Sequence, residues 1–349
     1  TVSELDAVAP ERRVSRWRLA LAVLIVGALI ELGLRKLNLS AIESIDIAWW
    51  YVVWALLANF ASVMAKATVW KAALDAVPNH DRARYRDIVP ALFIGFLLNT
   101  ILLARLGEIA RIAVMRRRLA YRGVDLEASV ATGTVLSEQL MMGVALVIVV
   151  VATAFVTSAP HWVFRALVGL IAVLAVLGLA LFGLALFSRY RRRSRPLHTD
   201  LARAWWGAAI VQLASVAHSL SHGLRVFRDP RAGSVALAAA LASWITQIAG
   251  IYWTLEAFGI HQGLSAAALV FLTSTLIQLF PIIPGNIGSF QAAVAYPLVQ
   301  TYNVDSGRAI AFSIGLQVIE AALAAGLGFV FLSREGLSLA EARRLPVRD

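Results

Sequence analysis

Asn99-Thr-Ile-Leu-Leu-Ala-Arg-Leu-Gly-Glu-Ile-Ala-Arg111 starts inside an apolar run, Ile88 to Ala104, and leads into Arg116, Arg117 and Arg118. Arg105, Glu108 and Arg111 are spaced by three, with Gly107 as the one flexible position between them. On a helix, residues three apart lie on one face, so the spacing predicts a positive–negative–positive ridge. Ionisable groups that adjoin hydrocarbon-like sequence are costly and by default mark a functional site. A counterpart stands near the other end, where Pro281-Ile-Ile-Pro-Gly-Asn-Ile-Gly288 breaks a second apolar run. The fold is read from this pair of interruptions.

The chain has 349 residues, 60% hydrophobic and 15% charged, with a mean hydropathy of +0.75. Soluble domains average about 45–50% apolar and about 25% charged residues, so this is read as an all-α polytopic integral membrane protein. With no cysteine, a disulfide framework, a thiolate metal site and a cysteine nucleophile are excluded. The net charge of +11 could suggest nucleic acid. The arginines, however, cluster beside the apolar spans rather than on a polar module, which fits positive-inside topology and anionic lipid headgroups. There is no Walker loop, Gly-x-Ser-x-Gly, His-Glu-x-x-His or Rossmann glycine pattern. Neither a cofactor nor a metal is expected. His218 and His222 are four apart, but no acidic or thiol ligand completes a site nearby.

Spans need about 20 apolar residues. Arg12, Arg13, Arg16 and Arg18 precede the first, at about 17–37, which puts the tail 1–16 in the cytoplasm. No small-residue cleavage motif follows, so Trp17–Leu34 is expected as a retained span. A second span (47–70) carries Trp49, Trp50, Tyr51 and Trp54 at its outer end, as an interfacial belt would. The run Ile88–Ala104 then poses a conflict, because both flanks are basic and the run is short. A re-entrant hairpin over 88–118 resolves it, and broken backbone at that depth requires a surrounding protein or aqueous cavity. Spans follow at 128–157 and 163–187, the latter ending at Arg189-Tyr-Arg-Arg-Arg-Ser-Arg195. Segment 205–227 is expected as an interfacial or partly inserted helix. A fifth span (234–257), a second hairpin (264–303) entering from the outer side, and a last span (309–332) complete the chain before a cytoplasmic tail, 333–349. The expectation is one domain, 17–332, with about six crossings and two opposed re-entrant hairpins. That is the pattern of an inverted repeat, inferred from topology and not from any residue-level repeat.

Arg105 and Arg111 offer the bidentate donors that suit a phosphate, and Glu108 would hold them in place and compete with the ligand. The plain alternative is a helix-end ion-pair network, contributing about 0–1 kcal/mol per pair. Pro281, Pro284, Gly285, Asn286 and Gly288 could form an ordinary loop, or let backbone N–H groups approach an anion. Glu138 with Gln139, and Glu320 with Gln317, lie inside spans. Each carboxylate either pairs with an arginine or serves a proton or substrate pathway. Lys66 and Lys71 are expected to snorkel to a cytoplasmic helix end.

With these residues in hand, the chain resembles the lysylphosphatidylglycerol synthase transmembrane-region family, flippase-like membrane proteins. The resemblance rests on Asn99, on Arg105-Leu-Gly-Glu-Ile-Ala-Arg111, on Glu138-Gln139 and on Pro281-Ile-Ile-Pro-Gly-Asn-Ile-Gly288. Two positions depart from the family pattern. Gln139 stands where many members have Arg, so an ion pair beside Glu138 is absent or remade elsewhere. Gln291 stands near where many have Glu. In bifunctional members this region is similar to a lipid flippase, and a separate soluble domain makes the aminoacyl-lipid. No polar stretch here is long enough for such a domain, so aminoacyl transfer by this chain is not expected.

The resemblance implies an inner-membrane lipid translocase for an amphiphile with an anionic phosphate headgroup, such as a phospholipid or polyprenyl-phosphate-linked lipid. The expected substrate-binding residues are Asn99, Arg105, Gly107, Glu108, Arg111, Glu138, Pro284, Gly285, Asn286 and Gly288. Its partners would be anionic membrane lipids, with a homo-oligomer or a lipid-synthesis enzyme as further possibilities. One rival is a membrane-embedded transferase, with Glu138 as the general base. The other is a non-transporting lipid-binding assembly subunit.

Overall fold

A computed structural model describes residues 46–77, 83–101, 107–156, 229–279, 286 and 288–335. Among the described residues there are eight helices and no strand. They are α1 Trp49–Asp75, α2 Tyr85–Ile101, α3 Gly107–Ala120, α4 Ala128–Val156, α5 Pro230–Ala257, α6 Gly263–Leu279, α7 Ser289–Tyr302 and α8 Ser306–Arg334. Four of them, α1, α4, α5 and α8, are long and apolar enough to cross a membrane. These match the expected spans at 47–70, 128–157, 234–257 and 309–332. The expected spans at 17–37 and 163–187, and segment 205–227, lie outside the described residues.

The ends of these helices are set by short-range chemistry. Asp229 accepts hydrogen bonds from the Arg231 and Ala232 amides while Pro230 occupies the first helical position of α5. Asp305 does the same for α8 through the Gly307 amide, at 2.7 Å. At the start of α7, Gly288 has φ +89°, a conformation that favours glycine, and its amide donates to Gln291 Oε1 at 2.6 Å.

The helices fall into two series of equal order and closely similar length. The first runs 27, 17, 14 and 29 residues (α1–α4), the second 28, 17, 14 and 29 (α5–α8). α1 and α5 run antiparallel, since the Ala48 amide at one end of α1 donates to Ala257 O at the far end of α5. At their middles the contact is reciprocal. Ser62 Oγ donates to Ser243 O at 3.0 Å, and Ser243 Oγ donates to Ser62 O at 3.1 Å. Each serine is the fourteenth residue of its helix. Gly250 lies at the same crossing, where a Cβ would be in ordinary van der Waals contact with Ala55 O at 3.5 Å. Small residues at such a crossing are the usual means of close packing between apolar helices.

Two apolar cores result. One gathers Trp70, Ile94, Leu98 and Met115 between α1, α2 and α3. The other gathers Phe258, Phe271, Phe290 and Phe312 between α5 and α8. α8 joins them, packing against both α2 and α7. Its Gly328 faces Phe93 and Leu97 of α2 so closely that a Cβ would meet Phe93 O at 2.6 Å.

The open ends of the two short-helix pairs face opposite ways along α8. Asp87 in the first turn of α2 pairs with Arg118, in the last turn of α3, and with Arg122 just beyond it, and Arg118 pairs with Glu335 just beyond α8. At the other end of α8, Arg308 donates to Gly259 O, in the turn between α5 and α6. The α2–α3 pair therefore opens toward the C-terminal end of α8, and the α6 end of the other pair lies toward its N-terminal end.

Candidate functional site

The site is built where α3 returns along α2. α3 starts at Gly107, whose amide would be unpaired at a helix N-terminus. Asn99 Oδ1 accepts it at 2.8 Å, so the last turn of one helix caps the first turn of the next. Gly107 also lies directly against Gly95, and any Cβ there would strike Gly95 O and the Asn99 side chain. Two facing glycines thus bring α3 close enough to α2 for Arg111 to sit over Gly95, with its Cβ 3.2 Å from the position a Gly95 Cβ would take.

Arg111 is the centre of the cluster and only 2% exposed. Its Nε pairs with Glu108 Oε2 at 2.6 Å, one turn earlier on α3. Its Nη2 pairs with Glu138 Oε2 at 2.6 Å, across on α4. The guanidinium lies over the Trp70 ring of α1, 5.0 Å from its centroid. Trp70 is itself fixed by donating Nε1–H to Thr134 Oγ1 at 3.2 Å. One buried cation is thus held by two carboxylates and an aromatic face, drawn from three helices. A buried charge needs this much compensation, because losing one partner of such a pair costs about 3–5 kcal/mol.

The two carboxylates differ. The Glu138 side chain is 4% exposed and the Glu108 side chain 28% exposed. Glu108 also accepts from Gln139 Nε2 at 3.4 Å. The ion pair that Gln139 leaves unmade beside Glu138 is thus remade between helices, with Arg111. Lys66 completes the polar group. Its ammonium lies 5.7 Å from the Phe96 ring and 5.4 Å from the Trp244 ring, held by cation–π contacts. It is within electrostatic reach of Glu138, Glu108 and Arg111. This corrects the expectation that Lys66 snorkels to a helix end, since two aromatic faces hold it nine residues before the end of α1. Lys71 does sit near the end of α1, paired with Asp75 at 2.6 Å.

Of the ten residues expected at the site, the structure brings Asn99, Gly107, Glu108, Arg111 and Glu138 together. Arg105, Pro284 and Gly285 lie outside the described residues, as do Pro281, His218 and His222. Asn286 and Gly288 belong to the other short-helix pair. Asn286 Nδ2 donates to Ile277 O at 3.4 Å, and Asn286 is one of the non-glycine residues with positive φ, 51°. Gln291 bridges to Gln317 on α8 through an Nε2–H to Oε1 hydrogen bond. Sequence reasoning missed Trp70 and Gly95. Gly95, an isolated glycine within an apolar helical run, carries the signal of a close backbone approach. Trp70 carries none, because an aromatic in a span reads as core. Among the described residues no group of three His, Cys, Asp or Glu side chains could hold a metal ion.

No curated protein and no solved structure matches the chain. The family profile described as "Lysylphosphatidylglycerol synthase TM region" matches residues 17–328. The chain, an integral membrane protein, belongs to that family, whose role is tied to membrane lipids.

Proposed function

We propose that the protein is a lipid translocase, moving an amphiphile with an anionic phosphate headgroup between leaflets. The observation that carries this reading is the Arg111 cluster, a buried guanidinium with a half-buried carboxylate on it, at the tip of a helix pair too short to cross. At 1.5 Å per residue α2 and α6 reach about 26 Å and α3 and α7 about 21 Å, against about 30 Å of hydrocarbon. Read as two opposed re-entrant hairpins between six crossings, they form an inverted repeat with a site near the midplane.

In this reading the phosphate replaces Glu108 on Arg111, with Arg105 as a second donor, and Asn99 and Gly107 fix the turn. Glu138 stays behind as the counter-ion, and the Pro284–Gly288 backbone shapes the opposite gate. Arg116, Arg117, Arg118, Arg122 and Arg334 share one end of the bundle, which supports that end, and both chain termini, as cytoplasmic in a bacterial inner membrane. The 2.6 Å pairing of Glu138 with Arg111 favours binding over catalysis, because a general base must be free to take a proton.

The test is leaflet exchange of fluorescent anionic lipids in proteoliposomes, with wild type, Arg105→Ala and Arg111→Lys. The expected result is exchange well above empty liposomes, lost in both variants. Arg111→Lys keeps the charge but not the fork that matches a phosphate. Exchange unchanged in the variants moves the site elsewhere. No exchange with any phospholipid or polyprenyl-phosphate lipid favours the assembly-subunit reading.

A further inference from the structure

A second polar place lies on the other side of Lys66. Asn59 of α1, Gln247 and Thr254 of α5, and Glu320 of α8 line a small shared cavity whose other walls are apolar. Glu320 is the fifteenth of the 29 residues of α8, as far from either end as the helix allows. Among the described residues no cation forms an ion pair with its carboxylate and no side chain hydrogen-bonds to it. In the middle of a span that is the costliest place for a charge, and lone carboxylates there mark ion or proton pathways. Gln247 supplies the complementary deficit, since its Oε1 is buried and has no hydrogen-bond partner. A neutral carboxyl carries one O–H donor, and a side-chain amide oxygen accepts. One proton satisfies both groups at once.

We infer that Glu320 and Gln247 form an exchangeable-proton site, separate from the Arg111 cluster. The proton sits on the Glu320 carboxyl and is donated to Gln247 Oε1. When it leaves, the carboxylate relies on the Asn59 amide and the field of Lys66, since the Thr254 hydroxyl is donated to Gly250 O at 2.8 Å. The surroundings leave few other charges. α8 packs against α1, α2, α5 and α7. α1 presents Lys66, which acts on Glu320 through space. α5 presents Gln247 and Thr254, both uncharged, while α7 presents Gln291, bound to Gln317. α2 presents Phe93 and Leu97 to α8, at Gly328.

Lys66 also lies within electrostatic reach of Glu138 and Arg111, so among the described residues it links the two places. Gln247 and Lys66 hold the same position in the two helix series, each the eighteenth residue of its helix. Loss of a proton from Glu320 draws the Lys66 ammonium away from Glu138, and anion capture at Arg111 draws it back. If the translocase reading holds, on which this last step rests, the proton is the coupling ion.

The site is tested without any lipid substrate. Full-length protein in nanodiscs is titrated with pH and followed by infrared difference spectroscopy for the band of a protonated carboxyl. Expected is a titrating band that disappears in Glu320→Gln, persists in Glu138→Gln and shifts in Gln247→Leu, which removes the acceptor. A band that survives in Glu320→Gln, or that vanishes with Glu138→Gln instead, overturns the site. So does a band that responds to Na⁺ at fixed pH but not to pH, since the occupant is then a metal cation.

Coupling is read separately, in proteoliposomes with the membrane potential clamped. Co-movement with one proton displaces the steady-state leaflet ratio about tenfold per pH unit across the membrane, and Glu320→Gln abolishes that displacement. Exchange with no displacement in wild type overturns coupling. Absence of exchange altogether counts against the translocase and leaves the infrared result to stand alone.

Discussion

The α2–α3 pair and the α6–α7 pair have the same lengths, 17 and 14 residues each, and both lean on α8, yet one is stitched by ions and the other by amides. In the first, Arg111 joins Glu108 to Glu138 and so ties α3 to α4. In the second, Gln291 ties α7 to α8 through Gln317. The turns differ as well. Gly107 is tight against Gly95 and Asn99, whereas a Cβ on Gly288 would meet nothing within 4 Å. A shared scaffold thus carries one charged, close-packed tip and one neutral tip whose glycine serves backbone conformation.

The largest expected effect separates the two stitches. Glu138→Ala leaves Arg111 buried with one counter-ion fewer and is expected to cost about 3–5 kcal/mol, read as a lowered unfolding midpoint in detergent. Gln291→Ala breaks two neutral hydrogen bonds, one to Gln317 and one from the Gly288 amide, and should cost about 1–3 kcal/mol. Equal losses from the two variants would erase the distinction between a charged and a neutral tip.

The turns provide a smaller test. Gly107→Ala forces a methyl into Gly95 O and should cost about 1–3 kcal/mol by overpacking, with loss of leaflet exchange. Gly288→Ala meets no atom of the described residues within 4 Å and costs only the positive-φ backbone, about 1–3 kcal/mol. Exchange that survives Gly107→Ala would show that the close approach of α3 to α2 is not what positions Arg111.

The smallest concerns the outer ties. Glu335→Gln takes the charge from a half-buried partner of Arg118, which is still flanked by Asp87, and keeps a hydrogen-bond acceptor, so it should cost no more than about 1 kcal/mol. Its unfolding midpoint should hardly move. A large drop would mean that the end of α8, rather than the Arg111 cluster, holds the charged pair of helices in place.

Much of this architecture was legible in the chain. Four expected spans coincide with the four long apolar helices, since about 20 apolar residues in a row have few alternatives to a spanning helix. Asn99, Gly107, Glu108, Arg111 and Glu138 were all marked by being polar or glycine beside hydrocarbon-like sequence. Partnership was harder to read. Glu138 could have paired with any arginine, and which one depends on how closely α3 approaches α2. The likeness of the two helix series was expected from topology alone, while the matching lengths and the Ser62–Ser243 contact leave no trace in repeated letters. Lys66 was misread for the same reason, as its aromatic neighbours come from α2 and α5.

The sequence by itself determined that this is a membrane protein, which stretches are long enough to span, and which ionisable residues lie beside the apolar runs. Those follow from local composition, because the bilayer acts on each segment independently. Only the tertiary structure decided that Arg111 is shared between Glu108 and Glu138 over Trp70, and that Glu320 shares a cavity with Gln247. Such choices depend on distances between helices far apart in the chain. Those distances are set by where glycines and serines let backbones touch.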